Sequence, residues 1–588
     1  MNRLSMAVFV GISALAFPAS SQVLPPPPKS PTIDANGVDV QSAQLQYSQK
    51  LMSIGPEGMG GLDYTITFSG EAWRHSFSNV LVNESGDFVP TTEDITIANS
   101  SESFTWGAPD QGNGSSSGGF DYLRKDGTYA PFDHYVAGET DPVTMITTLW
   151  HFADYIAFPN GVTWTFHYRD DYTGGQQSTR LQSVTTNTGY QMKFYYQTDT
   201  ITTPASRVFW YSILKVVAIN NAVEYCDPDA DSCSVSSSWP QVQYTFPSGY
   251  NFAVSDPVGN TTSFASAFPN FKVKTADSST DNIQYTLSLI SGDPCVPGSG
   301  PNLKITNATI NGRSTNYTYS HTPTTETVVS AASLSQTYTY ASAVNAGVNI
   351  SLCRSGVRTM TDPLGRQTTF NFDGYIRMTD ATQPEGNSTH LVIDGVTPPA
   401  IDNRGNVTQR TANPKSGSGS PTLSESYTFP TCTSSNQKIC NQPETYTDPR
   451  GHMTTFTYDT SHGGVLTETD PTDSNGIQPV KRYTYAQRYA WIKNASGSYV
   501  QAPTPIWLRT GERTCAQTAT IGSACAGGSS DEIITSYDYG PNSGPNNLLV
   551  RGKVVTAGGV SLRTCYGYDQ YGNKISETQP RAGLASCP

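Results

Sequence analysis

Along most of this chain, ring-bearing and small polar residues alternate in short runs. Tyr64-x-Ile66-x-Phe68, Trp164-x-Phe166-x-Tyr168 and Tyr244-x-Phe246 are followed by Tyr317/Tyr319, Tyr338/Tyr340, Tyr427/Phe429, Tyr483/Tyr485 and Tyr537/Tyr539. Residues two apart lie on one face of a pleated strand, so each run predicts a strand with rings on one side and small polar groups on the other. Clusters of Gly, Pro, Asn and Asp between the runs predict the turns of successive hairpins. No apolar helical period extends beyond about three turns. The predicted fold is all-β: consecutive antiparallel hairpins forming a long curled sheet or partial shell, because a twisted sheet of many strands must close, split or bend.

The turns repeat as well. Asp448-Pro449-Arg450-Gly451 leads into a strand carrying Phe456 and Tyr458, and a Gly463-Gly464 turn then leads to a new Asp470-Pro471. Pro presets φ at the second turn position, Gly relieves the fourth, and Asp bonds the backbone ahead of it. Asp362-Pro363-Leu364-Gly365 leads to Phe370 in the same register, and looser copies start at Asp256 (with Gly259) and at Asp402. A late copy reads Tyr566-Gly567-Tyr568-Asp569-Gln570-Tyr571-Gly572-Asn573. Spacing between copies is uneven, which fits hairpins with insertions better than a strict solenoid.

These residues resemble the RHS/YD-repeat family, whose repeat carries a Tyr-Asp-x-x-Gly-Arg/Asn core and Asp-Pro-x-Gly turns. The resemblance runs from roughly residue 60 onward and is closest at Tyr568-Asp569 to Gly572-Asn573. It implies a sheet spiralling into a hollow shell around a C-terminal toxin or effector. The family's shell-closing core segment, with its self-cleavage aspartates, has no counterpart here, and no composition shift near the end announces a toxin domain. Autoproteolysis and toxin activity are therefore not carried over.

The division expected is a signal peptide (1–21), a Pro-rich disordered tether (22–59), irregular β repeats (60–255) and YD/RHS-type hairpin repeats (256–588). The start is short, basic and then apolar, with small residues before Gln22, as in secretory leaders. No other apolar run reaches membrane length, so the mature chain is expected without a membrane span, secreted, periplasmic or on the cell surface. A net charge of −13 argues against nucleic acid as a partner. The ten cysteines include near neighbours that suggest disulfides: Cys226 with Cys233, Cys432 with Cys440, Cys515 with Cys525 and, further apart, Cys565 with Cys587. Cys295 and Cys353 are left over, and no spacing suits zinc.

Candidate chemistry is sparse. Gly114-Ser115-Ser116-Ser117-Gly118 matches the nucleophile-elbow pattern but lies in a polar loop without the flanking strand and helix. Asp227, Asp229 and Asp231 alternate inside the Cys226–Cys233 loop and offer oxygen ligands to Ca²⁺; they read otherwise as a solvated acidic turn. No other cofactor is implied, and the eight histidines are scattered without metal-ligand spacing. The expected function is a secreted, non-catalytic scaffold, either a stand-alone piece or the front of a shell for a toxin or effector cargo. The alternatives are a module binding cell-envelope glycan through exposed aromatics and a glycan-cleaving enzyme. Tyr458→Ala is expected to cost about 3–5 kcal/mol if the ring is buried.

Overall fold

The computed structural model describes residues 33–40 and 43–587 except short stretches, the longest being 85–92, 105–110, 115–119, 141–146, 291–301, 345–353 and 395–404. The signal-peptide segment, the proline run, the Asp402 turn start, and Cys295 and Cys353 lie outside the described residues. The chain is all-β, and 31 of its strands form one antiparallel sheet. The sheet begins with Gln111–Gly114, Phe120–Leu123 and Tyr129–Phe132, continues from Tyr155–Ala157 strand by strand to Val480–Arg488, and ends with Ile506–Cys515, Glu532–Tyr539, Val550–Ala557 and Val560–Tyr568. Lys574–Glu577 pairs with that last strand. Among the described residues no rung joins Lys574–Glu577 back to Gln111–Gly114, so the sheet is open rather than a barrel. The division expected at 255/256 falls on an ordinary hairpin turn between Phe252–Ser255 and Thr261–Ala267.

The repeated turns share one design. The Asp448 carboxylate accepts the N–H of Arg450 (2.8 Å) and of His452 (2.9 Å). Asp362 does the same with Leu364 and Arg366, Asp256 with Val258 and Asn260, and Asp569 with Tyr571 and Asn573. The glycines of these turns, Gly259, Gly365, Gly451 and Gly572, have φ between 76° and 93°, the left-handed region that disfavours other residues. The side chain thus satisfies two backbone donors that the turn leaves unpaired.

A second device sits at the strand ends. The hydroxyls of Tyr168, Tyr458, Tyr485, Tyr539 and Tyr568 donate to the carbonyls of Ala153, Pro443, Val465, Arg509 and Val550 at 2.7–3.1 Å, and Tyr196 and Tyr319 reach Leu181 and Ile305 likewise. Each acceptor belongs to the preceding strand or its approach. Except at Tyr319, the ladder to the following strand shifts register at the tyrosine. A bulge bends its strand and increases local twist, while the hydroxyl fixes the bend against the strand before. Burial pushes the Tyr458 and Tyr539 hydroxyls up to about 12, so both remain protonated donors.

The expected tether needs correction. Residues 33–40 and 43–59 are built into the fold: Gln46–Ile54 pairs with Leu62–Ser69, which pairs with Ala72–His75. This three-stranded sheet packs on one face of the large sheet. Phe68 meets Phe271 at 4.6 Å, Trp73 meets Phe264 at 4.7 Å and Phe252 at 4.9 Å, and the Tyr64 and Tyr244 hydroxyls bond at 2.7 Å. The resulting core runs from Val38 to Val357. The strand escapes a period-two reading because its register shifts between Lys50 and Met52.

The large sheet coils back on itself. Asn220 donates to the Gln570 carbonyl (2.9 Å), Lys493 N–H to Asn221 (2.8 Å), Trp507 N–H to Asn160 (2.9 Å) and the Tyr571 hydroxyl to Ser238 (3.0 Å). Hairpin turns of the early strands therefore rest against segments far later in the chain, at separations from 270 for Lys493–Val223 to 350 for Asn220–Gln570. A second core of Val162, Ala490, Ala502, Ile506, Leu508 and Leu548 seals this seam.

Candidate functional site

A cavity of about 650 Å³ opens on the seam. One wall comes from the adjacent strands Thr163–Asp171 and Ser178–Thr186, which contribute Thr163, Thr165, Thr185 and Thr186; the other comes from Ile492, Lys493 and Ala502 to Thr504. Asn187 ties the two together, donating to Gly161 (2.8 Å) and to the Thr504 hydroxyl (3.0 Å) while accepting the Thr163 N–H (2.9 Å). The Lys493 ammonium donates to the Val223 carbonyl at 2.6 Å. Hydroxyls, amides and one ammonium thus face the space, and none of the described lining residues is a carboxylate or a histidine. Such a wall sets hydrogen-bond donors and acceptors beside the apolar faces of Tyr155, Tyr225, Ile492, Ala502 and Pro503.

The Cys226–Cys233 loop, closed by its disulfide, forms the rim. The loop lies over the strand Ser178–Thr186. Ser183 donates to the Pro228 carbonyl (2.7 Å), Gln182 to Ala230 (2.9 Å), and the buried Lys193 ammonium to both carbonyls. Burial draws that ammonium down to about 8. Its three aspartates diverge. Asp227 accepts the Asp229 N–H (3.0 Å), Asp229 pairs with His167 (2.8 Å), and Asp231 pairs with Arg169 and faces Arg180 (3.4 Å) and Gln182 (3.2 Å). Arg180, with only 1% of its side chain exposed, also meets Asp199 at 3.0 Å and lies over the Tyr196 and Trp210 rings at 4.1 and 4.6 Å. The carboxylates that suggested calcium are engaged with protein groups, and they do not converge among the described residues.

Sequence reasoning missed the residues that hold this loop. Arg180, Gln182 and Lys193 are isolated polar positions in strands; the docked loop covers Gln182 and Lys193, and the Tyr196 and Trp210 rings cover Arg180 together with it. The four disulfides expected between near neighbours are formed. Cys515 and Cys525 lie near Asp531, but their sulfurs bond each other and the Asp531 carboxylate accepts the Gln517 and Thr518 N–H groups. Of the serine motif only Gly114 is described, at the end of a strand; Ser115 to Gly118 lie outside. The repeat residues Asp256, Asp362, Asp448 and Asp569 occupy turns remote from the chemistry of the seam, except that the Asp569 turn docks beside Tyr190 and Gly55.

No known family profile matches the chain, and no curated protein is significantly similar to it. Among solved structures it aligns with the TcdB2-TccC3-Cdc42 crystal structure at 10% identity and a TM-score of 0.31, over 89% of this chain and 26% of that one. It aligns with the Tc holotoxin pore of Photorhabdus luminescens at 10% identity and 0.30, over 91% and 24%, and with a porin-like protein from Bacteroides uniformis at 9% and 0.16, over 45% and 91%. The chain spans about a quarter of the length of the two Tc chains.

Proposed function

We propose that this chain is an exported, non-catalytic scaffold of RHS type, a length of curved wall belonging to a shell around a toxin or effector. The observation that carries this reading is the coiled sheet itself: consecutive hairpins bend at clamped bulges until late strands rest on early turns. A wall needs closed seams and stable turns, and both are invested in here more heavily than in any constellation of reactive groups. The four disulfides support an oxidising compartment. Among the described residues no helix is long and apolar enough to cross a membrane.

The test is protease protection. The native particle, purified from its host's medium, is digested while folded, then unfolded and analysed by peptide mass spectrometry. Protected peptides from a second polypeptide, or from sequence beyond residue 588, are expected. If everything that survives maps to this wall, nothing is enclosed and the reading fails.

A further inference from the structure

The groups that line the seam cavity divide into those already engaged and those left free. The hydroxyls of Tyr155, Tyr225, Thr163 and Thr165 have no hydrogen-bond partner among the described residues, and none of them is sealed from solvent. The amide acceptors are taken: the Asn187 oxygen by the Thr163 N–H (2.9 Å) and the Asn221 oxygen by the Cys226 N–H (3.3 Å). What remains is a set of hydroxyl donors, with the N–H bonds that Lys493 does not spend on Val223. Apolar surface stands beside them: Tyr155 is 36% exposed, Pro503 is exposed, and Tyr225 and Ile492 are half-buried. On the rim, Asp227 stands between the lining residues Cys226 and Pro228, exposed and without a salt bridge among the described residues. Burial, and after it the Asp227 and Asp229 carboxylates, raise the Tyr225 phenol, so the rim's negative charge is felt inside the cavity.

We propose that this cavity takes a proline-rich segment in the polyproline II conformation, and that the segment is Pro25 to Pro31 of a second copy of this chain. Prolines bring compact apolar rings and carbonyl acceptors and have no N–H to leave unpaired, which matches tyrosine faces set among hydroxyl donors. An ordinary extended peptide brings N–H donors, for which the amide acceptors are already spent. Pro25-Pro26-Pro27-Pro28-Lys29-Ser30-Pro31 carries a single charge, Lys29, opposite in sign to Asp227 and to the chain as a whole. The run of the same copy does not reach. Ile33 pairs with Asp39 beside Gly37, whose carbonyl accepts the Gln46 N–H, while Gly55 abuts Tyr190 next to the cavity residue Gly189. The intervening strand Gln46–Ile54, 9 residues long, separates these ends by about 30 Å, whereas the stretch from Pro28 to Thr32 extends at most about 18 Å. A joint between copies needs no cargo, so it stands whether or not the wall encloses one.

Fluorescence anisotropy of a labelled synthetic peptide, Gln22 to Thr32, titrated with the full chain tests it. Saturable binding is expected, and is lost when the peptide carries Pro25→Ala, Pro26→Ala, Pro27→Ala and Pro28→Ala together. Tyr225→Ala in the chain is expected to weaken binding about tenfold or more, as for an anchoring aromatic. Because that ring also supports its loop, Thr165→Val provides a second variant, expected to weaken binding about fivefold with an unchanged melting curve. Asp227→Asn keeps the acceptor for the Asp229 N–H; it is expected to weaken the peptide about two- to fivefold and to leave a Lys29→Ala peptide unaffected, as an exposed ion pair requires. Sedimentation equilibrium is expected to show self-association of the full chain that the same four proline substitutions abolish. Lack of saturation by roughly 1 mM peptide overturns the proposal, as does equal binding of the alanine peptide or undiminished binding by the folded Tyr225→Ala and Thr165→Val chains. Self-association that survives the proline substitutions overturns the assignment to a second copy.

Discussion

Two glycines in the same turn type separate the turn from the seam. Gly451 and Gly572 each occupy the fourth position of a turn that starts at the capping carboxylate, with φ of 84° and 87°. A methyl group on Gly451 meets nothing within 4 Å, whereas one on Gly572 comes within 2.6 Å of the Tyr190 hydroxyl and 3.3 Å of the Gly55 Cα. Alanine in the left-handed region costs about 1–2 kcal/mol at either site. Overpacking adds about 1–3 kcal/mol at Gly572 alone. The displaced turn loosens the Gly55 N–H bond to Tyr571 (3.0 Å), the Tyr571 hydroxyl bond to Ser238 and the edge contact between the Trp239 and Tyr571 rings at 5.6 Å. Hydrogen exchange read by mass spectrometry resolves the two effects. Gly451→Ala is expected to speed exchange only in its own hairpin, and Gly572→Ala to speed it also around Gly55, Tyr190 and Ser238, by roughly five- to hundredfold for 1–3 kcal/mol. If the two variants behave alike and Gly55 stays protected, the late strands do not rest on the early ones and the coiled arrangement is wrong.

Burial holds His75 and His151 down to about 4, below the ordinary 6.5, and the His75 Nδ1 accepts the Phe77 N–H (3.2 Å), a bond that protonation removes. A base whose folded pKa is lowered contributes stability that is complete above about 6.5 and fades as pH falls toward 4, at most about 3 kcal/mol per group. Urea midpoints should therefore drop between pH 7.5 and 4.5, and less so in His75→Phe; a flat profile contradicts the burial. Arg180→Ala removes a buried guanidinium with its bonds to Thr198 (2.8 Å) and Trp210 (2.9 Å), and is expected to cost about 3–5 kcal/mol. Asp229→Ala, whose carboxylate is 75% exposed beside His167, should cost under about 1 kcal/mol; chemical denaturation that ranks the two the other way refutes the account of the loop. Tyr458→Phe keeps the ring and leaves the Pro443 carbonyl without its donor (2.8 Å), a change of about 1 kcal/mol in local exchange protection.

The hairpin repeat was readable because two of its causes are written locally: Asp-Pro-x-Gly fixes a turn and rings two apart fix a strand face. The turns at Asp34, Asp473 and Asn494 use the same carboxylate or amide cap without the proline, and passed unnoticed. Which rings are dry was not readable. Phe271 and Tyr285 lie under the N-terminal sheet, whereas Tyr458 is half-buried, so the full cost expected for Tyr458→Ala shrinks with the lost burial. In the later repeats the ring face carries charge as well: Glu425, 1% exposed, is held by Arg410 at 2.7 Å and by the hydroxyls of Tyr427 (2.9 Å) and Tyr446 (3.3 Å). The seam was invisible for a different reason. Contacts such as Asn220 with Gln570 join turns whose sequences serve their own hairpins equally well, and nothing local distinguishes a docked turn from a free one.

The adjacency of Tyr and Asp in the repeat has a mechanical meaning. At Tyr458-Asp459 and Tyr568-Asp569 the tyrosine marks the bulge against the next strand and clamps the previous one, and the aspartate immediately closes the turn that starts that next strand. Bend and turn are thus set by neighbouring residues, so an insertion elsewhere in a hairpin lengthens a loop without altering the direction in which the sheet rolls. Uneven repeat spacing is then compatible with a regular coil. Curvature accumulates with the number of clamped bulges rather than with chain length. The excursions Trp491–Gln501 and Thr520–Cys525 illustrate the point: each interrupts the order of the strands, yet Val480–Arg488, Ile506–Cys515 and Glu532–Tyr539 still pair as direct neighbours. The sheet accommodates such additions with its strand order unchanged, so the direction of the coil is set by the clamped strands and not by what lies between them.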